Sequence, residues 1–456
     1  MMLPEKFTER MKPLLDEEWE RFAAAMYEDA VRGVRINRIK IDPQIYRNGY
    51  DERLEPISYY RDGFYFCSND PVGVLAEHHA GIFYMQDPGA MASLAAIDIP
   101  RGAKVLDMCA APGGKSGQAA AAIGDEGFLL SNEFVPKRAK ITVGNFERLG
   151  IKNAFVTSLD TAEFKKMYRA FFDFVIADVP CSGEGMFRKN EIAVSEWSEE
   201  NVERCAKRSR EIIENAAPVV APGGYIIYST CTFSIDENEA VVLDFLKSHD
   251  DFELVPVKEE LKATTADGVS IDGDADGILH RCRRFYPHVS RGEGQFVALL
   301  RRKDTGEMPT ILYKNKAREL DRSERSVIEA FLRDTLTAPI DAKPYKVGEN
   351  IVLISHGVPV PENSVFSAGV LLGEIRKGVL TPHHQFFSAY GAAFKRKLEL
   401  SDKGEEVRKY LHGEEIENDG LTAGWCVITY LGASLGGGKV VGDRIKNHYP
   451  KGLRNK

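Results

Sequence analysis

Between positions 104 and 232 the sequence sets three kinds of chemically capable residue just behind apolar runs. The first is a loop of small residues, "MCAAPGGKS" at 108–116, which follows "AKVLD". The second is a set of acids, Glu133, Asp160 and Asp178, each closing a later apolar run. The third is a pair of cysteines, Cys181 in "DVPC" and Cys231 in "STCT". A loop of this composition can cradle a nucleotide phosphate, as a P-loop does, or it can hold S-adenosylmethionine.

The P-loop reading requires Gly, four residues, then Gly-Lys-Ser/Thr. Gly114, Lys115 and Ser116 satisfy the end of that pattern, and "FVIAD" at 174–178 imitates the strand whose aspartate holds magnesium. Cys109 stands where the first glycine should be, which removes the freedom that lets the loop curl around phosphates. Glu133 is placed to accept from two ribose hydroxyls, as the acid of dinucleotide folds does, and Asp160 from an adenine amino group. The cysteines decide the matter. A P-loop enzyme has no use for the pair, whereas a methyltransferase acting on a pyrimidine carbon does. Any one of these residues alone is more often a capped strand end or a packing side chain; their order along one sheet edge selects S-adenosylmethionine.

Carbon 5 of cytosine is too poor a nucleophile to attack a sulfonium methyl unaided. A thiolate adding to carbon 6 makes carbon 5 enamine-like; after transfer a base removes the carbon-5 proton and the thiol is eliminated. A free thiol, with a pKa of about 8.5, needs activation by its surroundings. Asp178 is expected to hydrogen-bond the pyrimidine edge, and Lys115 to orient that carboxylate and help place the cofactor. Spacing leaves the attacking cysteine open. The Pro-Cys cysteine is the nucleophile of DNA cytosine-5 methyltransferases, which would select Cys181.

These residues need a sheet to hold them. From residue 103 strands and helices alternate: "AKVLDMC", a small-residue helix over 115–123, "GFLLSNE", a helix through "PKRAKITVGNFERLG", "NAFVTSLD", "FDFVIADVPC", a long helix within 199–220, "APGGYIIYSTCT" and "GQFVALLRR". Such alternation predicts an α/β fold with an open, mainly parallel sheet covered on both faces, binding its ligand beyond the carboxyl ends of the strands. Before it lies a mixed helix and strand segment containing "RGVRINRIK". By pattern alone Arg32, Arg35, Arg38 and Lys40 read there as a solvated basic strand edge. "KDTGEMP" at 303–309 reads as a linker to a third region of Gly-rich turns and short strands.

The 456 residues, 43% of them hydrophobic, suit about three domains. We expect them at 1–90, 91–302 and 310–456. No apolar run approaches a membrane span, and the charged start lacks a signal-peptide core, so the expected location is cytoplasmic. Seven cysteines without a Cys-x-x-Cys pair argue for working thiols rather than disulfides or a zinc site. The sulfonium charge is lost on transfer, so no metal is expected, and the histidines of "EHHAG" and "TPHHQF" read as structural or RNA-facing. A net charge of −8 does not advertise nucleic-acid binding, although charge along the chain is uneven. Nothing suggests an obligate oligomer, so a monomer is expected.

"DMCAAPGGKS", "SNE", "DVPCSGEGMFRKN" and "YSTCTFSIDENEAVV", in this order, resemble the RNA cytosine-5 methyltransferases of the Sun and RsmF type. The likeness extends to "RGVRINRIK", "YMQDPGAM" and "GGGKVVGDRIKNHYPKGLR", and it is greatest to the RsmF-like branch, which methylates 16S ribosomal RNA. It implies a Rossmann-like methyltransferase core after a small N-terminal α+β domain, and a C-terminal PUA-like RNA-binding domain. It implies Cys231 as nucleophile and Cys181 as the residue that assists product release. It implies cofactor contacts from Cys109, Ala110, Ala111, Pro112, Gly113, Gly114 and Lys115, then Glu133, Asp160 and Asp178. Val179 replaces the alanine that often precedes this proline, a change of bulk only. The implied partner is RNA, as 16S ribosomal RNA or the 30S subunit; transfer RNA is the alternative substrate. A non-catalytic RNA-binding assembly factor is the alternative of another class. Lys439, Arg444, Lys446, Lys451, Arg454 and Lys456 would grip phosphates, with Tyr449 and Trp425 either stacking on bases or lying in the core.

Overall fold

The computed structural model describes residues 3–69, 71–362, 365–400 and 404–455. Its central sheet contains β1 (Lys104–Asp107), β2 (Phe128–Asn132), β3 (Ala154–Thr157), β4 (Phe172–Asp178), β5 (Val220–Thr230) and β6 (Gln295–Arg302). The first five are parallel, in the spatial order β3-β2-β1-β4-β5, and β6 lies antiparallel to β5.

Successive side chains of a strand point to opposite faces, and here both faces are buried. Val105, Leu129, Phe174, Ile176 and Ile227 pack with residues of α1 (Gly114–Ile123) and α2 (Pro136–Leu149). Leu106, Leu130, Val175, Ala177, Ile226 and Tyr228 pack with residues of α3 (Glu199–Ala216) and α4 (Glu239–Ser248). This is why the strands read as continuous apolar runs. The helix ends follow local chemistry. Pro136 opens α2, where a missing N–H costs nothing, and Gly150 closes it at φ 72°. The Ser198 side chain caps α3 by accepting from the Asn201 N–H.

From β1 the chain runs outward to β2 and β3, then returns to the other side of β1 for β4 and β5. The order therefore reverses between β1 and β4, where ligands of open α/β sheets bind. Asp107 and Asp178 end these two strands.

The N-terminal region has helices Glu5–Leu15 and Trp19–Ala25 and a four-stranded antiparallel sheet. The basic strand of that sheet departs from its expected place. Gly33–Ile36 pairs on both sides and is interior, and Arg35 is 1% exposed. Arg35 Nε donates to Gln86 Oε1 at 3.1 Å, and its guanidinium lies 5.8 Å from the Tyr84 ring centre. Arg38 pairs with Asp62, and the half-buried Lys40 has its ammonium 3.2 Å from Ser388 Oγ of the C-terminal region. Arg35 and Lys40 thus meet other regions of the chain, where carbonyls, amides and rings replace water, while Arg38 stays exposed beside Asp62.

The C-terminal region forms two five-stranded sheets. Its strand Val365–Ala368 also pairs antiparallel with β3 and covers that edge of the central sheet. Of the basic tail, Lys439 lies on Ala433–Val441, and Arg444 and Lys446 on Arg444–Asn447. Lys439 sits 5.4 Å from the Trp425 ring centre. Lys451 is exposed, Arg454 donates to the Tyr449 carbonyl, and Lys456 lies outside the described residues. Tyr449 belongs to the core at 3% exposure, whereas Trp425 is half-buried against Phe387 and His448. The two histidine pairs meet around Tyr449, whose hydroxyl is 2.7 Å from His79 Nδ1 and whose ring touches His384. Burial pushes His78 and His384 down to about 3, so both stay neutral. Among the described residues no cluster of three side chains could hold a metal ion, and no helix is long and apolar enough to cross a membrane.

Candidate active site

The loop after β1 is built around a buried carboxyl. Asp107, 1% exposed, accepts from Ser116 Oγ at 2.6 Å and from the Cys109 N–H at 3.3 Å. Burial pushes it up to about 7. Gly113 precedes α1 at φ 101°, where other residues are strained. A Cβ on it would sit 3.2 Å from Thr142 Cγ2 and 3.3 Å from Phe146 Cε1. The loop is anchored from outside: Arg138 donates to the Ala111 carbonyl at 3.0 Å, and Asn145 to that of Pro112 at 2.8 Å. The Ala110 N–H reaches the Asn132 carbonyl at 2.7 Å. Burial pushes the Cys109 thiol well above its usual range.

The acids line the same edge. Glu133, one residue beyond β2 and buried, accepts from the Val135 N–H at 2.9 Å and pairs with Arg138 at 3.3 Å. Asp160, three residues beyond β3, is exposed and accepts from the Ala162 N–H. Asp178 is held from two sides, by Lys115 Nζ at 2.8 Å and Ser229 Oγ at 2.7 Å. Ser229 stands opposite Asp178 in the β5–β4 register, so the sheet itself sets this bond.

This donor set can be tested against the two ligands. A triphosphate needs free cations, yet Lys115 and Arg138 are both committed to carboxylates. What the edge offers is acceptors, Glu133, Asp160 and Asp178, for hydroxyls, amines and positive charge, above a glycine turn too tight for a side chain. S-adenosylmethionine fits those residues; a nucleotide phosphate does not.

Cys231 directly follows β5, and Cys181 lies three residues past β4. Their sulfurs are 3.1 Å apart, and the Cys231 N–H donates to Cys181 Sγ at 3.2 Å. The contact with Cys231, then burial, holds the Cys181 thiol well above the usual range. The fold thus brings Lys115, Asp178, Cys181 and Cys231 together at the switch point, with Glu133 and Asp160 farther along the edge. Sequence reasoning missed Asp107, Ser229 and two fully buried acids, Glu184 and Glu237. A signal for Glu237 was present: "IDENEAVV" puts three acids just before an apolar helix face.

Residues 95–301 match the family model described as 16S rRNA methyltransferase RsmB/F. Residues 3–88 match the N-terminal domain of 16S rRNA methyltransferase RsmF, and 395–455 the methyltransferase RsmF PUA domain. The chain is 33% identical to ribosomal RNA small subunit methyltransferase F of Erwinia tasmaniensis, over 99% of this chain and 97% of that protein. It is 30% identical to the Vibrio vulnificus protein of the same name, over the same shares. A methyltransferase homologue from Pyrococcus horikoshii superposes with a TM-score of 0.56 at 25% identity, covering 66% of this chain and 95% of that one. With the site at the switch point and relatives aligned over nearly their whole length, the chain belongs to the RsmF family of S-adenosylmethionine-dependent 16S rRNA methyltransferases.

Proposed function

We propose that the chain methylates carbon 5 of a cytosine in 16S ribosomal RNA through a covalent bond from Cys231 to carbon 6. The observation that carries this reading is the pair of thiols 3.1 Å apart beside the doubly held Asp178. S-adenosylmethionine, when bound, supplies the methyl group as a sulfonium. Asp178, fixed by Lys115 and Ser229, offers an oxygen to the pyrimidine edge and favours addition of Cys231 Sγ. The carbon-5 proton then leaves to a base, and the carbon 6–sulfur bond breaks to return the thiolate to Cys231. Cys181, whose sulfur lies 3.1 Å from that of Cys231, assists that release. The target base must leave its stack to reach the sheet edge.

The test uses methyl-labelled S-adenosylmethionine with 16S ribosomal RNA, 30S subunits and bulk transfer RNA. Label in 5-methylcytosine that vanishes in Cys231→Ala, with a trapped protein–RNA adduct in Cys181→Ala, is the expected result. The reverse assignment of the two variants would make Cys181 the nucleophile. No label in any RNA, despite cofactor binding, would leave an assembly factor without catalysis.

A further inference from the structure

Two fully buried carboxyls cross between the loops that carry the thiols. Glu237, six residues after Cys231, accepts from the Ser182 N–H at 2.8 Å, Ser182 Oγ at 2.6 Å and Thr232 Oγ1 at 3.3 Å. Glu184, three residues after Cys181, accepts from the Phe233 N–H at 3.1 Å and Trp197 Nε1 at 2.8 Å, and pairs with Arg10 of the N-terminal helix. Each loop therefore gives a carboxyl to a backbone N–H of the other, one residue from Cys181 and two from Cys231. The Gly185 N–H to the Cys231 carbonyl, 2.9 Å, adds a backbone link. Both acids are 0% exposed, so neither reaches the cleft.

We infer that Glu237 and Glu184 are positioning residues that fix the two thiols relative to each other, and that product release depends on them more than methyl transfer does. This rests on the proposed roles of Cys231 and Cys181. The plainer alternative is two acids that only stabilise the fold. Against it, Glu237 has no ion-pair partner among the described residues, and its hydrogen bonds go to neighbours of the cysteines. Burial pushes its carboxyl up to about 7, so it is kept there without a compensating cation. Addition and transfer need Cys231 and the methyl donor, whereas release needs both sulfurs in register. Displacing one group by about 1 Å costs on the order of 10²-fold in rate.

The full-length variants Glu237→Gln, Glu237→Asp and Glu237→Ala separate reach from charge. Glutamine keeps the reach and loses the charge; aspartate does the opposite. If the clamp is geometric, Glu237→Gln stays within about threefold of wild-type turnover. Glu237→Asp and Glu237→Ala then lose about 10²-fold in kcat with KM for RNA little changed, and they accumulate the covalent adduct. Glu237→Asp turning over normally, or a slow Glu237→Asp without adduct, overturns the inference. The aspartate and glutamine pair decides even if Glu237→Ala fails to fold. Cys181→Ala is the control: an adduct there but not in Glu237→Asp sinks the clamp alone, and no adduct in either sinks the cysteine roles.

Discussion

Replacing Lys115 with methionine removes one of the two bonds that fix Asp178, and the structure sizes the effect. The Lys115 side chain is 9% exposed and that of Asp178 31%, with 2.8 Å between their charged atoms. A charge-assisted hydrogen bond in such a setting contributes about 1.5–3 kcal/mol. The two ends are unequal. Asp178→Asn strands a buried ammonium, whereas Lys115→Met leaves a half-exposed carboxylate still bonded to Ser229. Asp178→Asn should therefore destabilise by roughly 2–3 kcal/mol, above the neutral pair's hydrogen-bond value, and Lys115→Met by less. In single-turnover methyl transfer, Lys115→Met frees Asp178 to rotate about the Ser229 bond; losing 1.5–3 kcal/mol of orientation slows transfer about 10- to 150-fold. Denaturant melts of both singles and the double variant give the coupling, and calorimetry with S-adenosylmethionine separates binding from rate. A coupling under about 0.5 kcal/mol would refute the reasoning, as would equal destabilisation by the two singles.

Gly113→Ala should weaken S-adenosylmethionine binding about tenfold or more by calorimetry, because the left-handed turn alone costs roughly 1–2 kcal/mol in strain. Glu239 and Arg284 form a pair buried to 0% and 2%, and Nε of Arg284 is 2.6 Å from Glu239 Oε1. Breaking it with Glu239→Gln should cost about 3–5 kcal/mol, read as a lower unfolding midpoint. Asp107, raised by burial to about 7, binds a proton in the folded state that the unfolded chain releases near pH 4. Its contribution is neutral below both values and turns unfavourable as pH rises through 4 to 7. Relative to Asp107→Asn, the wild type should lose up to about 4 kcal/mol between pH 4 and 8; parallel stability curves for the two proteins would exclude it.

The central sheet was legible because both its faces are helix-covered, which writes apolar runs into β1 to β5, with function at their carboxyl ends. Cys181, Cys231, Asp178 and Lys115 could be gathered from four separate motifs because a parallel sheet sends every such end to one edge. What holds those residues was not legible. Ser229 serves Asp178 only through the β5–β4 register, and Ser182 serves Glu237 only because two loops meet; neither relation has a period along the chain. Tyr449 shows the same limit, since an aromatic in a basic stretch reads alike whether it faces solvent or packs on His79.

The basic strand carries this furthest. Charged residues at alternate positions normally mark the wet face of a half-buried strand, and Arg35 breaks that rule for a physical reason. Arg35 lies beneath Gln86 of its own region and Gly114 of the methyltransferase core, and Lys40, beyond the strand, meets Ser388 of the C-terminal region. The cost of burial shows in their proton affinities, lowered for Arg35 and down to about 7 for Lys40. Arg35 Nη2 lies 3.4 Å from the carbonyl of Gly114, the residue that opens α1 beneath the cofactor loop. Lys40 meets the C-terminal region four residues after His384, whose ring touches Tyr449. The short stretch 35–40 thus links the N-terminal region to Gly114 beneath the methyl-transfer edge and to Ser388 of the C-terminal region. Charge patterning along a chain reports solvent only when nothing else folds against that face.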